Sequence, residues 1–224
     1  MIKLVAFDWN GTLIADAWLA SASDNYALKP FIKKAVTLQK MRGFFTIPIL
    51  DYLAALGMNK KEYLNHHEKI NRRFNKYYEA RVNRCRTRSG TKDALQFLKQ
   101  NKIAAIIYSN HVTTYIHRQL KRLSLEKYFD VVLARAENDR SHMHSRGKQQ
   151  KLQNYVKSKR IKPREIISVG DTEEEIEIGK ALGYRTVAIT GGFNTTARLK
   201  KHKPDFLIHN MKDLIPIIKK LNAL

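Results

Sequence analysis

Six short apolar runs constrain this chain more than any other feature: Ile2–Phe7, Ile103–Tyr108, Val131–Ala134, Ile166–Val169, Thr186–Thr190 and Phe206–His209. They are continuous rather than alternating, the pattern of strands buried on both faces. Helical patterns separate them. Thr91 reads as an N-cap for a helix with Leu95 and Leu98 on one face, and Glu173–Leu182 as a helix stopped by Gly183. From about residue 89 onward strand and helix alternate, which predicts an α/β fold with a doubly wound parallel sheet. Residues 15–86 break the alternation. They carry Trp18, Phe31, Leu38, Phe44, Tyr52 and Leu56 with few strand signals, and Asn59 to Glu62 reads as a capping box opening a further helix. The expectation is an all-helical insertion at 15–86, with 1–14 and 87–224 forming the core.

Ligands of open parallel sheets bind beyond the carboxyl ends of the strands, so the residues closing each run are candidates for chemistry. The first run ends in Asp8-Trp9-Asn10-Gly11-Thr12. Gly11 lets backbone approach a phosphate closely, and Thr12 adds a hydroxyl. Taken alone, this stretch is also compatible with a tight turn closed by a side-chain cap. The second run ends in Ser109-Asn110, a hydroxyl and an amide suited to phosphate oxygens. The fourth ends in Gly170-Asp171-Thr172, followed by Glu173, Glu174 and Glu175. Carboxylates at neighbouring strand tips are costly unless a cation lies between them. Hard oxygen donors with few histidines favour magnesium over zinc. Lys148, ahead of the fourth run, is placed to neutralise phosphate and aspartate together.

These stretches, FDWNGTL, IIYSN, the Gly-Lys of Ser145 to Lys148 and VGDTEEE, occur in an order that resembles the haloacid dehalogenase-like hydrolases of the phosphoglycolate-phosphatase kind, with a helical cap. The resemblance extends through GYRTVAITGGFNTT and KPDFLIHNMKDL and spans essentially the whole chain. It implies a Rossmann-like core, magnesium as cofactor, and hydrolysis of a phosphate monoester of a small metabolite or nucleotide. By the same resemblance Asp8 is the nucleophile that forms an aspartyl-phosphate. The Asn10 carbonyl and the Asp171 carboxylate join Asp8 around magnesium, and Glu175 stands at a second acidic position. Ser109 holds the transferring phosphoryl group and Lys148 stabilises its charge, with Lys151 a rival for that role. Gly11, Thr12 and Asn110 belong to the substrate-binding set.

One position departs from the pattern. Relatives usually place an aspartate two residues after the nucleophile, as acid and base for the leaving oxygen, whereas this chain has Asn10. An amide delivers no proton at usable pH. The expectations are slow turnover, a preference for good leaving groups, or a replacement acid, for which His111 is the candidate.

The charge is unusual, with 42 Lys+Arg against 20 Asp+Glu and a formal net charge of +22. Such a field attracts anions, whether small phosphorylated substrates or nucleic acid. Basic residues interleave with Phe74, Tyr77 and Tyr78 between Lys69 and Lys92, but an amphipathic cap helix explains that stretch better than a nucleic-acid surface. The alternative function is a weakly active or non-catalytic protein of the same fold that binds a polyanion or partner. His142 and His144 read as loop residues rather than metal ligands. One cysteine, Cys85, suits a reducing compartment, and no run suits a membrane span, so a cytoplasmic protein is expected.

Overall fold

A computed structural model describes residues 1–137, 139, 143 and 147–223. Six strands form one parallel sheet: β1 (Leu4–Phe7), β2 (Ala104–Val112), β3 (Val131–Arg135), β4 (Ile166–Gly170), β5 (Arg185–Ile189) and β6 (Phe206–Ile208), in the order β3-β2-β1-β4-β5-β6. All six coincide with the apolar runs to within a few residues. The strand order reverses direction at β1. The crevice between the tips of β1 and β4 is therefore the natural ligand site of the sheet.

Both faces of the sheet are covered, which is why the strands need no polar side. Val5 and Phe7 face a cluster with Leu95 and Leu98 of α5 (Thr91–Gln100), Ile116 and Leu120 of α6 (Thr113–Leu123), and Leu214 and Ile218 of α10 (Leu214–Asn222). Leu4 and Ala6 face the opposite cluster, with Leu152 and Val156 of α7 (Gly147–Lys159) and Ile178 of α8 (Glu173–Ala181). A short helix α9 (Thr196–Lys201) packs Leu199 against Ala188. Gly90, with φ of +78°, is the N-cap of α5, so Thr91 is its first helical residue and not its cap. The stop after α8 is as expected, with Gly183 in the left-handed region at φ +72°.

Between β1 and β2 lie α1 (Ala17–Leu28), α2 (Leu38–Phe44), α3 (Ile49–Ala55) and α4 (Lys60–Glu79). They share an apolar cluster of their own, built on Leu28, Met41, Tyr52, Leu53, Tyr63 and Ile70. Asn59 caps α4 by accepting from the amides of Lys61 and Glu62. This helical unit sits over the strand tips and is tied to the β5–α9 loop. Arg42 donates to the carbonyls of Gly191 and Gly192 at 2.7 and 2.8 Å. Phe45 packs edge-on against Phe193, with ring centroids 4.9 Å apart. No described helix is long and apolar enough to cross a membrane.

Candidate active site

β1 delivers Asp8 to the crevice, its amide donating to the Val169 carbonyl at 2.9 Å. The chain then turns sharply at Gly11, whose φ is +72°. A Cβ at Gly11 or at Gly192 would overlap the Asp171 carboxylate, so the two glycines together admit that side chain. Asp171, at the tip of β4, is fully buried. It accepts from Thr12 Oγ1 at 2.6 Å and from the Phe193 amide at 2.6 Å. β2 shifts register against β3 between Tyr108 and Val112, and this irregularity carries Ser109, Asn110 and His111. Asn110 Nδ2 donates to Glu174 Oε2 at 2.9 Å.

Lys148, in the first turn of α7, is only 3% exposed. Its Nζ lies 3.5 Å from Asp8 Oδ1 and 2.9 Å from Glu174 Oε2, and it also bonds Glu175 Oε1. Burial works against the ammonium, but Glu174, Glu175 and Asp8 outweigh it and hold its pKa well above that of an ordinary lysine. Asp8 is pushed well above the usual carboxylate range by burial, while Lys148 pulls it down and Glu175, Asp171 and Glu174 push it further up. Burial and Glu175 raise Asp171 to about 7. Three carboxylates, Asp8, Glu174 and Glu175, thus converge on one lysine, with Asp171 buried nearby. Lys151, the rival, instead bonds the Ala134 carbonyl at 2.9 Å and Asp139 at 3.2 Å.

Asp8, Asn10, Ser109, Asn110, Lys148 and Glu175 line one cavity of about 160 Å³, whereas Gly11, Thr12 and Asp171 lie beneath it, away from its wall. Glu175 is engaged on both oxygens, since Oε2 accepts from the amide and hydroxyl of Thr172 and closes the capping box of α8. The roof comes from the helical unit and the β5–α9 loop: Phe45, Ile47, Ile49, Phe74 and Phe193. The sequence reading passed over Asp16 and placed Tyr78 only among the aromatics of the basic stretch, not at the site. Asp16 is fully buried and accepts from the Gly11 amide at 2.7 Å, from Asn10 Nδ2 at 2.6 Å and from Tyr78 Oη at 2.5 Å. No local motif flags either residue, because the contact forms only when α4 packs over β1. His111 is pushed down to about 4 by burial, with Arg135 adding to the effect, and is uncharged at neutral pH. It holds no imidazolium proton to replace a missing acid. His142 and His144 lie outside the described residues.

In the basic stretch between Lys69 and Lys92, Lys69, Arg72, Lys76, Arg84, Arg86 and Lys92 face solvent, whereas Arg73, Arg81 and Arg88 are partly buried. Phe74 and Tyr78 face the site, and the Arg73 and Arg81 guanidinium groups lie over the rings of Tyr26 and Tyr77 at 4.5 and 3.9 Å. Arg88 turns inward, donating to the carbonyls of Gly11 and Thr190 and bracing the turn below Asp8.

Comparison with known proteins agrees with this geometry. Over 218 residues the chain is 28% identical to a Caldanaerobacter subterraneus subsp. tengcongensis protein named "Putative pyrophosphatase PpaX", covering 97% of this chain and 95% of that one. It is 24% identical to "Pyrophosphatase PpaX" of Bacillus mycoides, over 99% of each chain. In fold it is similar to the crystal structure of "a predicted phosphatase from Clostridium acetobutylicum", with a TM-score of 0.82, 18% identity, and 98% and 99% of the two chains covered. The sequence profile of haloacid dehalogenase-like hydrolases matches residues 5–189, a span holding the strand tips of Asp8, Ser109 and Asp171. The chain belongs to the haloacid dehalogenase-like hydrolases.

Proposed function

We propose that this chain is a magnesium-dependent phosphatase that hydrolyses a small phosphorylated substrate through an aspartyl-phosphate on Asp8, with residues 15–86 acting as a cap over a core of 1–14 and 87–224. The observation that carries the reading is the pairing of two buried groups in one cavity, the Asp8 carboxylate and the Lys148 ammonium, 3.5 Å apart beside Ser109. The cap roof excludes water from the nucleophile, and Lys148 and Ser109 take up charge on the phosphoryl oxygens as it transfers.

The donor chemistry suits a divalent cation, although among the described residues no three acidic, histidine or cysteine side chains are grouped as a metal site. Asp8, Asp171, Glu174 and Glu175 place more negative charge in the crevice than Lys148 neutralises, and all are hard oxygen donors. Asp8, Asp171 and the Asn10 carbonyl would hold magnesium, which when bound supplies positive charge to the phosphoryl oxygens. The names of the PpaX relatives support phosphoryl hydrolysis as the reaction class; at 24% and 28% identity they leave this chain's leaving group open.

The test is Asp8→Asn, which preserves volume but removes the nucleophile. Turnover of an acyl phosphate such as acetyl phosphate should vanish with the thermal transition preserved, and a beryllium fluoride adduct should form on the wild type alone. Retained turnover in the folded variant would refute the mechanism.

A further inference from the structure

The cavity over Asp8 adjoins a second one. Ile49, Phe74 and His111 line both, and the second encloses about 240 Å³. A cavity of roughly 150 Å³ accepts benzene, so this volume suits one or two fused rings. Aromatic faces come from Tyr63 and Tyr115. A polar edge comes from Asn71 and Asn75, one helical turn apart on α4, and from Arg135 at the end of β3.

Two constraints on the leaving group meet at this junction. First, nothing at position 10 has a proton to give. Asn10 Nδ2 is committed to Asp16 and Tyr78, at 2.6 and 3.1 Å, which leaves only an acceptor atom on the amide, and His111 is uncharged. The leaving oxygen must therefore depart as a stable anion. Second, the roof of the cavity over Asp8 is apolar, made by Phe45, Ile47, Ile49, Phe74 and Phe193. Among the described residues lining the cavity, Lys148 is the one cation, and it is already engaged by Glu174 and Glu175. A phosphate or carboxylate leaving group directed against that roof would lose hydration that the apolar side chains do not replace. An aromatic hydroxyl meets both constraints, since its anion is delocalised and its body is apolar.

We propose that the substrate is an aryl or heteroaryl phosphate, whose ring lies against Phe74 and whose polar edge passes His111 to reach Asn71, Asn75 and Arg135. This rests on the phosphatase reading of the same site. In the first step a bond forms between an Asp8 carboxylate oxygen and phosphorus. The bond from phosphorus to the aryl oxygen breaks, and its electron pair leaves on that oxygen. The aryloxide takes its proton from water. A second water then attacks phosphorus, freeing the Asp8 carboxylate and inorganic phosphate.

The experiment compares 4-methylumbelliferyl phosphate, pyrophosphate and glycerol 3-phosphate with magnesium present, in the wild type and in Asn75→Ala. It also titrates 4-methylumbelliferone binding by fluorescence, which needs no chemistry. The aryl ester should lead in kcat/KM. In Asn75→Ala its ratio to pyrophosphate should fall roughly tenfold, as for one lost hydrogen bond, with weaker umbelliferone binding. Preference for pyrophosphate, or a ratio unmoved in Asn75→Ala, overturns the proposal. If no ester is turned over, umbelliferone binding that weakens in Asn75→Ala still supports the ring chamber, and it is the hydrolase reading that fails.

Discussion

Asn10 donates its side-chain amide to Asp16 Oδ2 at 2.6 Å, and Tyr78 closes the triangle by donating to the same oxygen at 2.5 Å while accepting from Asn10. The three groups belong to the turn after β1, the entry to α1 and the far end of α4. A residue of the turn after β1, the entry to the helical unit and that unit's longest helix therefore meet at one buried carboxylate. Because Asp16 Oδ2 accepts from both Asn10 and Tyr78, the nitrogen of Asn10 faces it and the oxygen of Asn10 is left for the cavity. The position occupied by an acid in relatives is here a fixed strut.

The two candidate lysines have separable fates. Lys148 touches Asp8, and Lys151 bonds Asp139 and a carbonyl beside β3. Lys148→Met should lower kcat on acetyl phosphate by on the order of 10²-fold or more, as expected for loss of a charge aimed at the transferring group. Lys151→Ala should stay within a few-fold of wild type. Because Lys148→Met leaves Glu174 and Glu175 buried together, its melting temperature must be measured alongside. Equal losses in both variants would remove the assignment.

Asp171 and the glycines around it give a metal prediction. Asp171→Asn should weaken magnesium binding in calorimetry by at least the roughly 10–100-fold that loss of a mere outer-shell partner costs. Gly192→Ala should do the same without touching a ligand, since its Cβ displaces the Asp171 carboxylate. Wild-type affinity in Gly192→Ala would mean that Asp171 is not held for the ion.

A pH effect on stability follows from Asp24 in α1, whose carboxylate accepts from Tyr52 Oη at 2.7 Å. Burial raises it to about 7, opposed only in part by that hydrogen bond. The folded chain thus keeps a proton that the unfolded chain releases near pH ~4. The contribution of this group is full below that value and is lost as pH rises toward 7. An asparagine never ionises, so the melting temperature of Asp24→Asn relative to wild type should climb between pH 4 and 7 and level off above. A difference independent of pH would show that Asp24 ionises freely in the fold.

The sheet was legible because buried parallel strands print their burial directly as apolar runs, and because strand tips carry chemistry in short contiguous motifs. Asp8, Ser109 and Asp171 could be singled out for that reason, and Lys148, in the first turn of α7, through its place ahead of β4 and the family resemblance. The roof of Phe45, Phe74 and Phe193 could not, since residues separated by more than a hundred positions meet only through the packing of α2 and α4 on the β5–α9 loop. The same holds for Asp16 and Tyr78. The Asn59 cap was readable locally, but the cap of α5 was misplaced by one residue. Gly90 provides a left-handed turn where Thr91 offers the commoner capping side chain. The basic residues between Lys69 and Lys92 were ambiguous in sequence because stacking on a tyrosine and facing solvent leave the same pattern of letters.

The substitution Asn10→Asp tests the departure most directly, and the structure sharpens what it should do. The new carboxylate would face Asp16 at the distance now spanned by a hydrogen bond of 2.6 Å. Two ionised carboxylates do not persist so close together in a buried site, so the pair should share a proton at the oxygen that Tyr78 also meets, with the Gly11 amide holding the other oxygen of Asp16. A shared proton is what a leaving alkoxide needs. Turnover of alkyl esters such as glycerol 3-phosphate should therefore rise by up to roughly 10²–10⁴-fold, the range of acid catalysis. Aryl and acyl phosphates should gain far less, because their leaving groups depart without protonation. The rate on alkyl esters should fall as pH rises through the apparent pKa of the pair. The added charge lies near Asp8 and Asp171, so magnesium must be saturating in every assay. An equal gain for all leaving groups would point to altered binding rather than proton transfer. No gain on alkyl esters, with metal bound and the fold intact, would show that position 10 does not reach the leaving oxygen.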